Sequence, residues 1–204
     1  MSVPSDVVIG REISQDLYEF EMEGADCALH KRRLELGDKL GSGSFGAVFE
    51  ATISIERPGK SWKHYPVAVK TASREPGNMI IGAYIETTLQ SDYIVPMHDT
   101  FFVEKDHEAF AVMPRATNGH LGSYIHKYDI PEKDANQIFK GILLGLKEMH
   151  NNGIMHRDLK PDNILMFNTI PKIADFDTAT YDELSKKFNV GTTGYLAPGI
   201  WQGS

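Results

Sequence analysis

The apolar positions of this chain change their rhythm about halfway along. Leu34-Glu35-Leu36-Gly37-Asp38-Lys39-Leu40 reads as a strand, and a glycine-rich turn follows it. Ala47 to Ile55 is β-rich, Pro58-Gly59 interrupts the pattern, and Val67-Ala68-Val69-Lys70 predicts another strand. A helix is expected within residues 78–90, then strands near 94–103 and 109–113. After Asn118-Gly119 the helical period takes over. Ile138, Ile142, Leu146 and Met149 repeat at helical spacing, Phe139 and Leu143 widen the stripe, and Asn152-Gly153 closes it as a C-cap. Short strands are expected at Ile164-Leu165-Met166 and Lys172-Ile173-Ala174.

A sheet-rich first half and a helix-rich second half predict an α+β architecture of two lobes with a ligand cleft between them. The first lobe, antiparallel sheet with one helix, covers residues 34–113, a connection covers 114–120, and a mainly α lobe covers 121–204. Residues 1–33 read as a polar, acid-rich extension (Glu19-Phe20-Glu21-Met22-Glu23). The basic cluster at its end, His30-Lys31-Arg32-Arg33, reads as a solvated turn before the first strand.

Composition narrows the setting. Of 204 residues, 41% are hydrophobic and 24% charged, the balance of a soluble globular protein. No apolar run approaches the roughly 20 residues of a membrane span, and Val7-Val8-Ile9 is too short for a secretory leader. The single cysteine, Cys27, fits a reducing compartment, so a cytoplasmic or nuclear setting is expected. A formal charge of −7 argues against an extended nucleic-acid surface. None of the eight histidines stands at zinc-ligand spacing.

Chemistry enters with Gly41-Ser42-Gly43-Ser44-Phe45-Gly46, a G-x-G-x-x-G between two strands. A dinucleotide-binding version would open a helix, so the context favours a flap over a triphosphate. Val48 then lies over a base, Ala68 leaves room for it, and Lys70 ends a strand downstream with Glu86 as the candidate carboxylate for its ammonium. His156-Arg157-Asp158-Leu159-Lys160-Pro161-Asp162-Asn163 is the most specific signal. With the flap and Lys70 ahead of it, it resembles the catalytic loop of eukaryotic-type protein kinases, and its Lys-Pro pair resembles the serine/threonine class. The resemblance runs from about Leu34 to the end.

The resemblance implies ATP and Mg2+ as cofactors and a protein substrate with a serine or threonine acceptor. It implies that Asp158 accepts the hydroxyl proton, Lys160 steadies the γ-phosphoryl group, and Asn163 and Asp175 hold magnesium. Lys70 with Glu86 would hold phosphates, and Leu40, Gly41, Ser42, Gly43, Ser44, Phe45, Gly46, Val48, Ala68, Met113, Pro114, Ala116 and Leu165 would surround the nucleotide. Thr192, in Gly191-Thr192-Thr193-Gly194-Tyr195-Leu196-Ala197-Pro198, takes the place of the threonine that contacts the catalytic aspartate and lysine.

Four departures from the family pattern stand out. Asp175-Phe176-Asp177 replaces D-F-G, and counting back from Ile94-Val95 puts Gly82, one turn before Glu86, at the glutamate's register. Phe188 occupies the position three before Gly191 where many relatives carry a phosphothreonine, leaving Thr178, Thr180, Tyr181 and Ser185 as candidate phosphosites. Ala197-Pro198-Gly199 replaces A-P-E, and the chain stops at Ser204, before the kinase fold is complete. A fragment of a longer kinase is therefore expected, with the underside of the Ile138–Met149 helix and Phe176 exposed for a partner. Two outputs stay open: phosphoryl transfer, or a nucleotide-binding, pseudokinase-like interaction module with little catalytic activity.

Overall fold

A computed structural model describes residues 8–24, 27–42, 46–181 and 190–196. Contacts divide the chain into two units, Met1–Ile80 with Met97–Arg115 and Ile81–Pro96 with Ala116–Ser204.

The first unit is a closed barrel. Its strands are β1 (Val8–Ser14), β2 (Leu17–Glu23), β3 (Leu29–Ser42), β4 (Gly46–Glu56), β5 (Lys63–Ala72), β6 (Asp99–Val103) and β7 (Glu108–Met113), in the order β1-β2-β3-β4-β5-β7-β6. All neighbours are antiparallel except the closing seam, where β1 runs parallel to β6 with Val8, Ile9 and Gly10 opposite Phe101, Phe102 and Val103. Closure removes the free sheet edges that would otherwise invite pairing with other chains.

The region ahead of Leu34, read from the sequence as a lead-in, is thus built as sheet. In β2, Tyr18 and Phe20 point into the lumen while Glu19, Glu21 and Glu23 alternate outward, so the acidic side chains mask an ordinary period of two. The basic cluster is strand as well, not a turn. His30, Arg32 and Leu34 face inward on β3, and Arg32 forms a buried ion pair with Asp99 at the start of β6.

Aromatic rings fill the lumen. Phe101 stacks on Phe20 with centroids 4.2 Å apart and on Phe110 at 4.7 Å, and Tyr18 lies 4.5 Å from Phe110. Leu34, Ile53, Val67, Val69 and Val112 complete the core. Alternation along β5 then puts Ala68, Lys70 and Ala72 on the outer face of the wall. A smaller apolar cluster on that face joins Ala72, Phe102, Ala109 and Ala111 to Met79 and Ile80 of helix α1 (Pro76–Thr88).

The second unit contains the rest of α1, α2 (Leu121–Lys127), α3 (Glu132–Asn151), β8 (Ile154–Met155), β9 (Ile164–Phe167), β10 (Ile170–Ile173) and β11 (Thr180–Tyr181). Helix α3 ends as its sequence predicts, with Asn152 as C-cap and Gly153 left-handed at φ +64°. Its buried face, however, is Ile138, Gly141, Gly145 and Met149. A Cβ on Gly141 would stand 2.8 Å from the Tyr93 ring, and one on Gly145 would stand 2.9 Å from Tyr93 O, so bare glycines let the helix lie close. The helix's underside, expected to lie exposed, is split: Ile138 and Met149 are buried, whereas Phe139 and Leu143, which widen the stripe, are exposed, as is Leu144.

Phe176 is also corrected. It is 2% exposed, inside a core formed with Ile85 and Leu89 of α1 and with Met149, Ile154, Ile164 and Ile173. Residues of the preceding helix therefore share its core, and the ring is not exposed.

Candidate active site

The catalytic-loop motif lies between β8 and β9, where short strands fix both ends and Pro161–Asn163 forms a single 3-10 turn before β9. Asp158 is the hub. Lys160 Nζ donates to its Oδ2 at 2.8 Å, Asn163 Nδ2 donates to the same oxygen at 3.1 Å, and Thr192 Oγ1 donates to Oδ1 at 2.6 Å. Lys160 Nζ also donates to Thr192 Oγ1 at 2.7 Å, which closes a triangle of aspartate, lysine and threonine. Burial would raise the Asp158 carboxyl. The hydrogen bonds from Lys160 and Thr192, the ammonium charge and the Asn163 amide outweigh it and hold the carboxyl below the ordinary carboxylate value.

The backbone beneath this hub is unusual. Arg157 and Asp175 both adopt left-handed conformations, at φ +66° and +67°, which cost non-glycine residues energy and persist only where surroundings enforce them. The enforcement is visible. His156 is buried, and its Nε2–H donates to Ala174 O at 2.9 Å while Nδ1 accepts from the Asp158 N–H at 3.3 Å. Both nitrogens are used only by a neutral ring. Burial accordingly lowers the His156 pKa, partly offset by the Ala174 carbonyl and the charge of Asp175.

Arg157 is occupied from within the chain. Its Nε donates to Thr178 O at 2.6 Å, and Thr178 Oγ1 donates to His156 O at 2.9 Å. Two residues later, β11 pairs antiparallel with β8, Thr180 opposite Met155 and Tyr181 opposite Ile154. Gly191 brings Thr192 to Asp158. Its φ is +122°, and a Cβ there would fall 2.5 Å from Arg157 O, so a side chain at this position is excluded twice over.

The oxygen donors near Asp158 suit a magnesium ion. The Asn163 Nδ2 is committed to Asp158 O at 2.8 Å and to its carboxylate, which turns the amide oxygen to the other side. With Asp175, it offers the hard oxygen chemistry magnesium takes. That ion commonly uses one or two protein groups and completes its shell with phosphate and water. A three-residue His/Cys/Asp/Glu cluster is not required, and none occurs among the described residues. Asp177, in place of glycine, lies outside the left-handed region, so the backbone there does not demand glycine.

In the barrel unit, register gathers the nucleotide candidates on one face. Val48 stands opposite Gly41 and Lys70, Lys70 opposite Ala111, and Ala68 opposite Glu50 and Met113. Val48, Ala68, Lys70 and Met113 therefore share the outer face of the wall, away from the aromatic lumen. Leu40 and Ser42 are exposed. The described glycines of the flap differ in purpose. A Cβ on Gly41 would meet nothing within 4 Å, whereas one on Gly46 would lie 1.7 Å from Thr71 O. Gly46 is needed for β4 to pair with β5, and only Gly41 leaves open space of the kind a ligand could use. Gly43, Ser44 and Phe45 lie outside the described residues, as do Ser185, Phe188 and Ala197-Pro198-Gly199.

Of the remaining candidates, Glu86 is 6% exposed on α1, Leu165 is half-buried on β9, and Pro114 and Ala116 follow β7. Arg115 between them forms an ion pair with Glu50 of β4. Neither that pair nor the clasp of Arg157 by Thr178 was foreseen from sequence. Both depend on contacts between residues far apart in the chain, and no local pattern marks them.

Comparison with known proteins agrees with this geometry. The family described as "Protein kinase domain" matches residues 34–204. Calcium-dependent protein kinase 4 of Plasmodium falciparum is 34% identical over 176 residues, covering 81% of this chain and 32% of that protein. Serine/threonine-protein kinase ppk21 of Schizosaccharomyces pombe is 32% identical over 179 residues, 79% of this chain and 31% of its own length. Calcium/calmodulin-dependent protein kinase type 1 of Caenorhabditis elegans is 29% identical over 178 residues, 84% of this chain and 50% of its own. The chain thus spans a third to a half of these relatives. By its family match and its catalytic loop, it belongs to the protein kinase family.

Proposed function

We propose that the chain transfers the γ-phosphoryl group of ATP to serine or threonine hydroxyls of proteins, with magnesium. The observation that carries this reading is the Asp158 carboxylate, kept ionised by Lys160, Thr192 and Asn163 while its oxygens stay at hydrogen-bonding distance of a hydroxyl-bearing side chain. The Thr192 hydroxyl already donates to Asp158, the same bond a substrate hydroxyl would make before transfer.

In this reading Asp158 takes the acceptor's proton as the new O–P bond forms and the bond from the γ-phosphorus to the bridging oxygen breaks. Lys160, 2.8 Å from Asp158, sits where its ammonium offsets negative charge on the transferring group. By the family resemblance, this reading assigns Lys70 and Glu86 to the phosphates, and Val48, Ala68, Met113, Pro114, Ala116 and Leu165 to the base. Magnesium, on Asn163 and Asp175, would neutralise charge on the phosphates. The single exposed cysteine, Cys27, supports a reducing cytoplasmic or nuclear setting. Among the described residues no helix is long and apolar enough to cross a membrane.

A second reading, an interaction module with little catalysis, is favoured by one observation. Phe139, Leu143 and Leu144 lie exposed on α3, a group of apolar side chains of the kind that partners cover. Transfer of labelled γ-phosphate from Mg-ATP to a generic serine/threonine protein, beside Asp158→Asn, decides between them. Transfer lost in the variant supports the kinase reading. Equal transfer removes Asp158 from the base role, and nucleotide binding without transfer leaves the module.

A further inference from the structure

Helix α1 has a bare spot where it meets the peptide that follows the metal-ligand candidate. A Cβ on Gly82 would stand 2.6 Å from both C and O of Phe176 and 3.0 Å from Asp177 N. All three are backbone atoms, which cannot swing aside as a side-chain tip can. The second glycine of this helix, Gly77, has nothing within 4 Å of its Cβ position. Glycine inside a helix costs about 1 kcal/mol relative to alanine, so Gly82 requires a reason and Gly77 supplies a matched control.

The peptide that Gly82 admits is tied onward. Phe176 O accepts the N–H of Ala179 at 2.9 Å, closing a turn. Within that turn, Thr178 O accepts from Arg157 Nε and Thr178 Oγ1 donates to His156 O. Arg157 immediately precedes Asp158. Just before the peptide stands Asp175, in its left-handed conformation. A side chain at 82 would press on the first peptide of the turn that clasps the catalytic loop, directly after Asp175.

We propose that Gly82 is a positioning residue: its missing side chain lets α1 lie against the Phe176–Asp177 peptide, and this contact sets Asp175 for metal and holds the Phe176–Ala179 turn against Arg157. The helix that carries Glu86 and the loop that carries Asp158 therefore take their working placements together. The absence of glycine at 177 fits this arrangement. The stretch gains its clearance from the helix side, at Gly82, instead of from its own backbone freedom. The metal half of the inference rests on the proposed nucleotide chemistry, whereas the turn half does not.

The test uses the whole chain with Gly82→Ala and Gly77→Ala. Affinity for ATP is measured by calorimetry in magnesium and again in EDTA, and hydrogen exchange is followed at the Ala179 amide. Gly82→Ala is expected to lose about tenfold in affinity in magnesium, the scale that overpacking against backbone supports, and to keep its affinity in EDTA. The Ala179 amide should exchange at least about tenfold faster, while Gly77→Ala matches the parent in each reading. A parent-like magnesium increment together with parent-like Ala179 protection in Gly82→Ala would overturn the proposal. So would an equal loss of affinity in both media.

Should Gly82→Ala fail to fold, the double variant Gly82→Ala/Asp177→Gly decides, because glycine at 177 lets the pressed peptide rotate away. Recovery of folding and of the magnesium increment supports the positioning role, and no recovery refutes it. If the parent chain itself shows no magnesium-dependent ATP affinity, the kinase reading fails. The Ala179 exchange comparison still tests the Gly82 contact on its own.

Discussion

The barrel lumen and the catalytic loop are built on opposite principles. Inside the barrel, Phe20, Phe101, Phe110 and Tyr18 stack among aliphatic side chains, and one polar pair, Arg32 with Asp99, is buried beside them. No proposed functional side chain points there, since Val48, Ala68 and Lys70 occupy the other face of the same wall. Around Asp158 the balance reverses. Two left-handed residues and a net of directional hydrogen bonds hold the loop, with apolar contacts mainly behind it at Phe176 and Met149. Apolar packing tolerates small shifts, whereas a hydrogen-bond net fails when one member moves. The molecule keeps rigidity in one region and chemical precision in the other.

Removing the barrel's closing hairpin gives the largest expected effect. Deleting residues 1–24 takes away β1 and β2 and uncovers Phe101 and Phe110. The loss should be on the order of 5 kcal/mol, the worth of burying about two large aromatic rings. Urea denaturation of the deleted chain would show a lost or strongly shifted transition, and a parent-like midpoint would mean the hairpin is decoration. Next in size is Asp99→Asn. It leaves the Arg32 guanidinium buried without its counter-charge, and Arg32 Nε already lacks a hydrogen-bond partner among the described residues. Breaking such a pair costs about 3 kcal/mol, to be read as a drop in midpoint with unchanged slope.

The same contrast governs how much could be read from sequence. The catalytic loop was legible because its chemistry fixes residue types at fixed spacing: His156, Arg157, Asp158, Lys160 and Asn163 lie within eight positions. The strands from Leu34 onward were legible because their turns and β-branched runs are local. The barrel was not. Tyr18, Phe20 and Met22 do alternate with Glu19, Glu21 and Glu23, but a short acidic strand looks like solvated chain until its neighbour β1 finds a parallel partner in β6, far along the chain, with Val8 opposite Phe101. Glycines posed a second difficulty. Gly82, Gly141 and Gly145 carry no hydrophobic signal, and their contribution is the closeness they allow.

On the catalytic side, pH offers a graded way to disturb the net. His156 has its pKa lowered by burial, so the folded protein binds its proton less readily than the unfolded chain. Its contribution to stability is complete above the unfolded value of about 6.5 and is lost as pH falls from there through the folded pKa. Protonation would also remove the Nδ1 acceptor from the Asp158 N–H. Melting temperature should decline on acidification over that range, and His156→Phe should flatten the decline. Thr192→Val acts on one bond of the net. Losing the hydroxyl removes a hydrogen bond that lowers the Asp158 pKa, so the carboxyl should titrate at higher pH, for a cost of about 1.5 kcal/mol. Carbon-13 NMR of the Asp158 carboxyl would register the shift, and an unmoved titration would remove Thr192 from the net.

The smallest expected effect lies at the ion pair between Glu50 and Arg115, where the barrel wall meets the segment after β7. Both side chains are partly exposed, so the pair's net contribution to stability should be under about 1 kcal/mol. Its position gives it another use. Glu50 shares a face with Val48, Ala68 and Met113, and Arg115 stands between Pro114 and Ala116, so the pair restrains the backbone proposed to read adenine. Glu50→Gln should leave the melting temperature within a degree or two while weakening ATP affinity by about threefold at low salt. Raising ionic strength should weaken the parent toward the variant and leave the variant nearly unchanged. A variant as tight as the parent at every salt concentration would make the pair an ordinary surface contact. It would also confine the ordering of the segment proposed to read adenine to β7 and Pro114, a matter of strand geometry like the rest of the barrel.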